Sequence, residues 1–178
     1  TYNSTTISVN YTSSDNILID KCVMEWLNQT ATNISLDGCQ NITITFPAGS
    51  NYVKLLVNDS AGNTNYTAIY FTINLSAPAI SLQSPVNLTY ATTNISLNYT
   101  VSKFDTCWLI NTTGQRTNIS GCVNATFEAT ANQQNNITLF VNDSGGNLNS
   151  SQVFITVDTT SPFLNFTSTT PNNQTINN

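Results

Sequence analysis

Val57-Asn58-Asp59-Ser60-Ala61-Gly62-Asn63 decides the reading of this chain, because it returns as Val141-Asn142-Asp143-Ser144-Gly145-Gly146-Asn147. Asp and Asn favour turns, and glycine supplies the positive φ a tight turn needs, so each copy marks the turn of a hairpin. Around the first turn the apolar residues alternate, with Val53, Leu55 and Val57 before it and Ile69, Phe71 and Ile73 after it. That is the period of a strand, with one face turned to a core. The repeat continues outward. Phe71-Thr72-Ile73-Asn74 is echoed by Ile155-Thr156-Val157-Asp158, Pro78 by Pro162, and Asn33-Ile34-Ser35 by Asn118-Ile119-Ser120. Cys22 and Cys39 correspond to Cys107 and Cys122. The offset stays at 83–85 residues, the length of one small β-domain.

In the second copy, strands are expected at 80–82, 94–101, 107–110, 123–127, 136–141 and 153–157, separated by Gly, Asn, Asp and Ser clusters. No stretch combines helical spacing with caps. The expected fold is all-β, with two tandem antiparallel sandwiches of two sheets each. Domain one occupies residues 1–77, domain two 78–161, and residues 162–178 form an orphan strand and linker. Thr6-Ile7-Ser8-Val9-Asn10-Tyr11-Thr12 matches the second strand of domain two, so domain one lacks a first strand of its own. Conversely, Phe163-Leu164-Asn165-Phe166 after Pro162 matches Ala79-Ile80-Ser81-Leu82 after Pro78, and nothing follows to complete it. Two readings give this pattern: a segment of a longer tandem array, or strand exchange in which 163–167 complete domain one of the next copy. In the second, Leu164 and Phe166 enter the neighbour's core.

Asn-X-Ser/Thr is the acceptor for N-glycosylation. Nineteen such sites occur: Asn3, Asn10, Asn28, Asn33, Asn41, Asn58, Asn65, Asn74, Asn87, Asn94, Asn98, Asn111, Asn118, Asn124, Asn136, Asn142, Asn149, Asn165 and Asn173. A shuffled chain of this composition would hold roughly seven, so richness in Asn, Ser and Thr does not account for the number. In Asn94-Ile95-Ser96, Asn98-Tyr99-Thr100 and Asn165-Phe166-Thr167 the middle residue is apolar. On a strand this turns Asn and Thr to solvent and the residue between them to the core. The outer surface is expected to carry N-linked glycans.

The 178 residues include Lys+Arg 4, Asp+Glu 9 and His 0, for a net charge of −5. Four basic residues cannot neutralise a run of phosphates, which argues against nucleic acid. No apolar run reaches the ~18 residues a spanning helix needs, and no signal peptide stands ahead of Thr1. Without histidine, the abundant Ser and Thr have no base to activate them, and the scattered carboxylates form no pair at a catalytic spacing. The expectation is a non-enzyme with no cofactor. Four cysteines allow three pairings, of which the repeat favours Cys22–Cys39 and Cys107–Cys122, one inside each domain. Such bonds fit an oxidising exterior. The Asp59 and Asp143 turns invite a calcium reading, but an Asx-type turn with glycine needs no metal and is preferred. A Lys54–Asn crosslink is disfavoured because domain two has Thr138 at that place.

The Val-Asn-Asp-Ser-(Ala/Gly)-Gly-Asn turn, an alternating strand and then Asp158-Thr159-Thr160-Ser161-Pro162 together resemble the tandem immunoglobulin-like domains of bacterial and archaeal surface and extracellular filament proteins. Asn74-Leu75-Ser76-Ala77-Pro78 departs from that ending by replacing its Asp. The Cys107-Trp108 start, with a second Cys some fifteen residues on, resembles archaeal members in particular. The resemblance implies a fold and a surface location. The function expected is a structural subunit or repeat of a glycosylated extracellular filament or stalk, its partners being copies of itself. The alternative is a surface adhesin or carbohydrate-binding module.

Overall fold

The computed structural model describes residues 1–26 and 32–165; Asn28, Phe166 and Asn173 lie outside them. Its elements are almost entirely strands, built from alternating apolar and polar residues. Unit one holds β1 (Thr6–Val9), β2 (Ile19–Trp26), β3 (Thr32–Leu36), β4 (Ile42–Thr45), β5 (Gly49–Asp59) and β6 (Thr64–Ile73). Unit two holds β7 (Ile80–Ser84), β8 (Thr89–Tyr90), β9 (Asn94–Val101), β10 (Thr106–Ile110), β11 (Arg116–Ile119), β12 (Ala125–Glu128), β13 (Gln133–Asn142) and β14 (Leu148–Val157).

Each unit is two sheets face to face. In unit two the order β11-β10-β13-β14-β8 faces β12-β9-β7. In unit one β3-β2-β5-β6 faces only β1-β4. Among the described residues, the first unit therefore has no counterpart of β7. The repeated turns close β5–β6 and β13–β14 alike. The Asp59 N–H donates to the Asn63 carbonyl at 3.0 Å, and the Asp143 N–H to that of Asn147 at 3.0 Å. Gly62 and Gly146 sit at φ 87° and 84°, where a side chain would be strained.

Inward residues form the cores: Val9, Met24, Phe46, Val53 and Ile73 in unit one, Leu97, Leu109, Ile137, Leu139 and Val141 in unit two. Cys22 is bonded to Cys39 and Cys107 to Cys122, each pinning the strand after the open loop to the 3-10 turn beyond its partner strand. Closing loops of about fifteen residues is worth roughly 3 kcal/mol apiece in the chain-entropy account.

Three expectations are corrected. The final hairpin of unit two is longer than its apolar run, because the polar residues at 133–135 and 148–152 still pair across the ladder. The strand β11 is polar and exposed, and only its pairing with β10 defines it. Most informative, the strand expected over 6–12 ends at Val9.

Candidate functional site

The early end of β1 leads to the site. In unit two, β9 pairs on both sides, with β12 along one edge and β7 along the other. The pairs Ile80↔Val101, Ser81↔Thr100 and Leu82↔Tyr99 hold its second half in a strand. The counterpart of Tyr99 is Tyr11. There β1 has β4 on one edge and, among the described residues, no strand on the other, so residues 10–13 have no ladder to join. A strand edge without a partner leaves N–H and C=O groups unpaired, which is why the segment departs from extended pairing.

Both tyrosine backbones are held alike, the Tyr11 N–H donating to Asn41 Oδ1 at 2.9 Å and the Tyr99 N–H to Asn124 Oδ1 at 3.0 Å. Their hydroxyls differ. Tyr99 donates to the Val123 carbonyl at 3.1 Å, whereas the Tyr11 hydroxyl is buried with no partner among the described residues. Burial pushes both phenols upward.

Above this edge the core of unit one lies open. Leu139 and Val141 are 1% and 0% exposed, while Leu55 and Val57 at the same places are half-buried. Ile69 points into the sandwich but is 52% exposed, whereas its counterpart Val153 packs against the cluster that includes Ile80 and Leu82. A cavity of about 280 Å³ lies among Tyr2, Ile7, Val9, Tyr11, Val53, Leu55, Ile69 and Phe71. A second of similar size continues past Tyr11 to Leu36, Leu55 and Val57. Together they mark the place that β7 fills in unit two.

At the far end, Phe163 and Leu164 are 89% and 95% exposed. They follow Pro162 as Ala79 and Ile80 follow Pro78, but touch no core of their own.

Between the units lies a polar junction. Asn74 Nδ2 donates to Asp143 Oδ2 at 2.9 Å, Asn147 Nδ2 to the Asn74 carbonyl at 2.8 Å, Asn149 Nδ2 to the Pro78 carbonyl at 2.8 Å, and Asn3 Nδ2 to the Gly146 carbonyl at 3.1 Å. Sequence reasoning saw these residues as turn formers and acceptor sites rather than as a junction. Asn74, Asp143 and Asn147 lie in the repeated stretches, whereas Asn3 and Asn149 lie outside them. Both turn carboxylates are already engaged: Asp59 accepts the Ala61 and Asn63 N–H groups at 2.9 and 2.8 Å and the Asn63 side chain at 2.7 Å. The Asn63 side-chain amide, then the backbone donors, hold Asp59 below the usual carboxylate range; Asn147 does the same for Asp143. This is an Asx-type turn.

None of the described acceptor asparagines is fully buried. Asn58, Asn74, Asn111, Asn136 and Asn142 are half-buried, and Asn3, Asn10, Asn33, Asn41, Asn65, Asn87, Asn94, Asn98, Asn118, Asn124, Asn149 and Asn165 are exposed. On the outer faces Tyr70 stacks on Tyr52 at 4.2 Å and Phe140 on Trp108 at 5.4 Å, with Arg116 over the Trp108 ring. Tyr70 and Phe154 stay exposed, while Leu56 and Phe140 are half-covered by their own unit. Lys54 pairs with Glu25 at 3.3 Å.

No protein-family model matches this chain, and no curated protein matches it. Solved structures do. The fibronectin(III)-like modules of Clostridium thermocellum CbhA align at TM-score 0.52 and 14% identity, over 93% of this chain and 92% of theirs. The amphioxus IgVJ-C2 molecule aligns at TM-score 0.39 and 12% identity, over 88% of this chain and 98% of its own. At such identity the first likeness establishes an immunoglobulin-like or fibronectin III-like sandwich and nothing about ligands. No catalytic family is indicated, and no described helix is long and apolar enough to cross a membrane.

Proposed function

We propose that this chain is a structural subunit, or repeat, of an N-glycosylated extracellular filament or surface stalk, extended head to tail. A neighbouring copy lays residues 163–167 along the free edge of β1. Leu164 then takes the place of Ile80 and Phe166 that of Leu82, over the cavity beside Tyr11. The observation that carries this reading is the open apolar groove of unit one, matched by an unplaced copy of the strand that closes the same groove in unit two.

The physical case is burial plus pairing. Backbone groups on the free edge gain partners. Covering the two side chains contributes roughly 3–6 kcal/mol before the ordering entropy is subtracted. A preceding repeat in a longer array would supply the same strand covalently, and the two arrangements share one contact. Glycans at the exposed acceptor sites would keep a chain with so little charge soluble. Its two disulfides fit assembly outside the cell.

The test is intact mass and electron microscopy of the secreted material. Filaments whose monomer mass is one chain plus sugars support strand exchange. A single long polypeptide supports the array. A monodisperse, unassembled chain at high concentration would refute the proposal.

A further inference from the structure

If 163–167 complete unit one of the next copy, as proposed above, the contact between copies repeats most of the junction inside one chain, with Asp158 standing for Asn74 and Ala91, which has no amide to donate, standing for Asn3. Inside the chain, Asn74 Oδ1 accepts the Ser76 N–H at 3.1 Å, which aims Nδ2 at Asp143 Oδ2. Between copies the counterparts are Asp158 for Asn74 and Asp59 for Asp143. Asn63, Asn65 and Pro162 replace Asn147, Asn149 and Pro78.

The local geometry of these counterparts is already in place. The Asn74 N–H donates to the Tyr2 carbonyl at 2.9 Å, and the Asp158 N–H to the Tyr90 carbonyl at 2.9 Å. Asp158 Oδ1 accepts the Thr160 N–H at 2.9 Å, as Asn74 Oδ1 accepts that of Ser76. The second terminal atom of Asp158 therefore projects as the Asn74 amide nitrogen does, but it is an oxygen. On the receiving side, the Asp59 turn reproduces the Asp143 turn bond for bond. Asn65 Oδ1 takes the Tyr66 N–H at 2.8 Å as Asn149 Oδ1 takes that of Ser150, which leaves each Nδ2 free to reach a carbonyl.

We propose that the copy-to-copy junction is an acid-strengthened lock in which Asp158 of one copy meets Asp59 of the next, whereas the junction inside the chain is an amide–carboxylate pair that gains nothing from acid. Two carboxylates at hydrogen-bond distance do not both stay ionised without strong repulsion. One proton turns the contact into an O–H···O⁻ bond, shorter and stronger than a neutral one. The donors around Asp59 already stabilise its charged form. The remaining charged groups near Asp59 are Asp15, lining the same hollow; Asp20, which accepts the Asn58 amide at 3.3 Å; and Lys21, opposite Asn58 in the β2–β5 register. Two carboxylates against one cation add to the repulsion. On the Asp158 side, Glu128 accepts the Asn94 amide at 3.0 Å and the Tyr90 hydroxyl is bonded to the Val86 carbonyl. The Asn63 and Asn65 amides reach carbonyls at any pH, so neutral pH weakens the junction without abolishing it.

The experiment follows self-association of the full secreted chain by sedimentation in EDTA between about pH 4.5 and pH 7.5. Association of the wild type should tighten about threefold or more toward the acid end, the part of a one-unit pKa displacement from an ordinary carboxylate value that is realised by pH 4.5. Asp158→Asn should associate tightly across the whole range. Asn74→Asp, which places the same carboxylate pair opposite Asp143, should make the angle between the two units pH-dependent in small-angle scattering. A wild-type profile that is flat, or an Asp158→Asn profile that keeps the wild-type slope, overturns the proposal. Leu164→Asp separates the two layers of argument. If it abolishes association while Asp158→Asn changes nothing, only the carboxylate lock fails; if association survives Leu164→Asp, the strand reading beneath fails too.

Discussion

Leu139 and Val141 are sealed inside unit two, while Leu55 and Val57, at the same places on the same hairpin of unit one, are half-buried. Tyr99 reaches a carbonyl with its hydroxyl and Tyr11 does not. The strand β9 spans eight residues and β1 four. Residue type accounts for none of this, since the two units use similar side chains in a common order. One edge strand does. With β7 in place, the second sheet of unit two covers the hairpin and pairs the far half of β9; without a counterpart, unit one keeps the same first sheet under half a lid. A single five-residue strand thus controls burial on the facing sheet, because a sandwich core is shared between faces.

The sharpest way to break this comparison is to deny unit one its proposed lid. Replacing Leu164 and Phe166 with Asp should abolish head-to-tail assembly while unit two unfolds at its usual temperature. Filaments of normal length from the double variant, seen by electron microscopy, would refute it. Core truncation is the next largest effect. Leu139→Ala should destabilise unit two by about 2–5 kcal/mol, as buried Leu→Ala changes do. Leu55→Ala should cost about half as much in the isolated chain and approach the Leu139 value in assembled material. Denaturant unfolding followed by a probe in each unit measures the difference; equal costs in the unassembled chain would mean that the groove is already closed.

Acid should act on the turns alike. Hydrogen bonds hold the folded Asp59 and Asp143 carboxyls below their unfolded values, so their contribution is present above the ordinary carboxylate range. It is lost as pH falls through the depressed folded values. Melting temperature should therefore fall below about pH 4, and Asp143→Asn should flatten that decline. The smallest effect concerns sugars. Asn10, Asn94 and Asn98 are exposed, while Asn74 is half-buried at the junction between the units. Glycopeptide mass spectra should show high occupancy at the first three and lower occupancy at Asn74; the reverse order would contradict the exposure argument.

Much of the fold was legible in the residues. Period-two apolar runs, Asp-Gly-Asn turns at a constant offset and the paired cysteines need only local rules, because side-chain direction alternates along a strand and turn residues favour turn φ values. The missing first strand was legible too, by alignment of one repeat with the other. Polar strands such as β11 were not, since Arg116–Ile119 earns its place from the neighbour β10 and not from its own pattern. Nor was the true length of β1. Thr6-Ile7-Ser8-Val9-Asn10-Tyr11-Thr12 alternates to its end, yet only four residues pair.

Sequence alone determined that this is an all-β chain of two similar units, each with its own cysteine pair, bearing many acceptor asparagines and little charge. These follow from composition and short-range periodicity, which are properties of neighbouring residues. Tertiary structure decided that the unpaired edge leaves a groove, that Ile69 faces it uncovered, and that Asn74, Asp143, Asn147 and Asn149 meet to join the units. Burial and hydrogen bonding between residues some seventy positions apart depend on which strands lie side by side, and no local pattern encodes that.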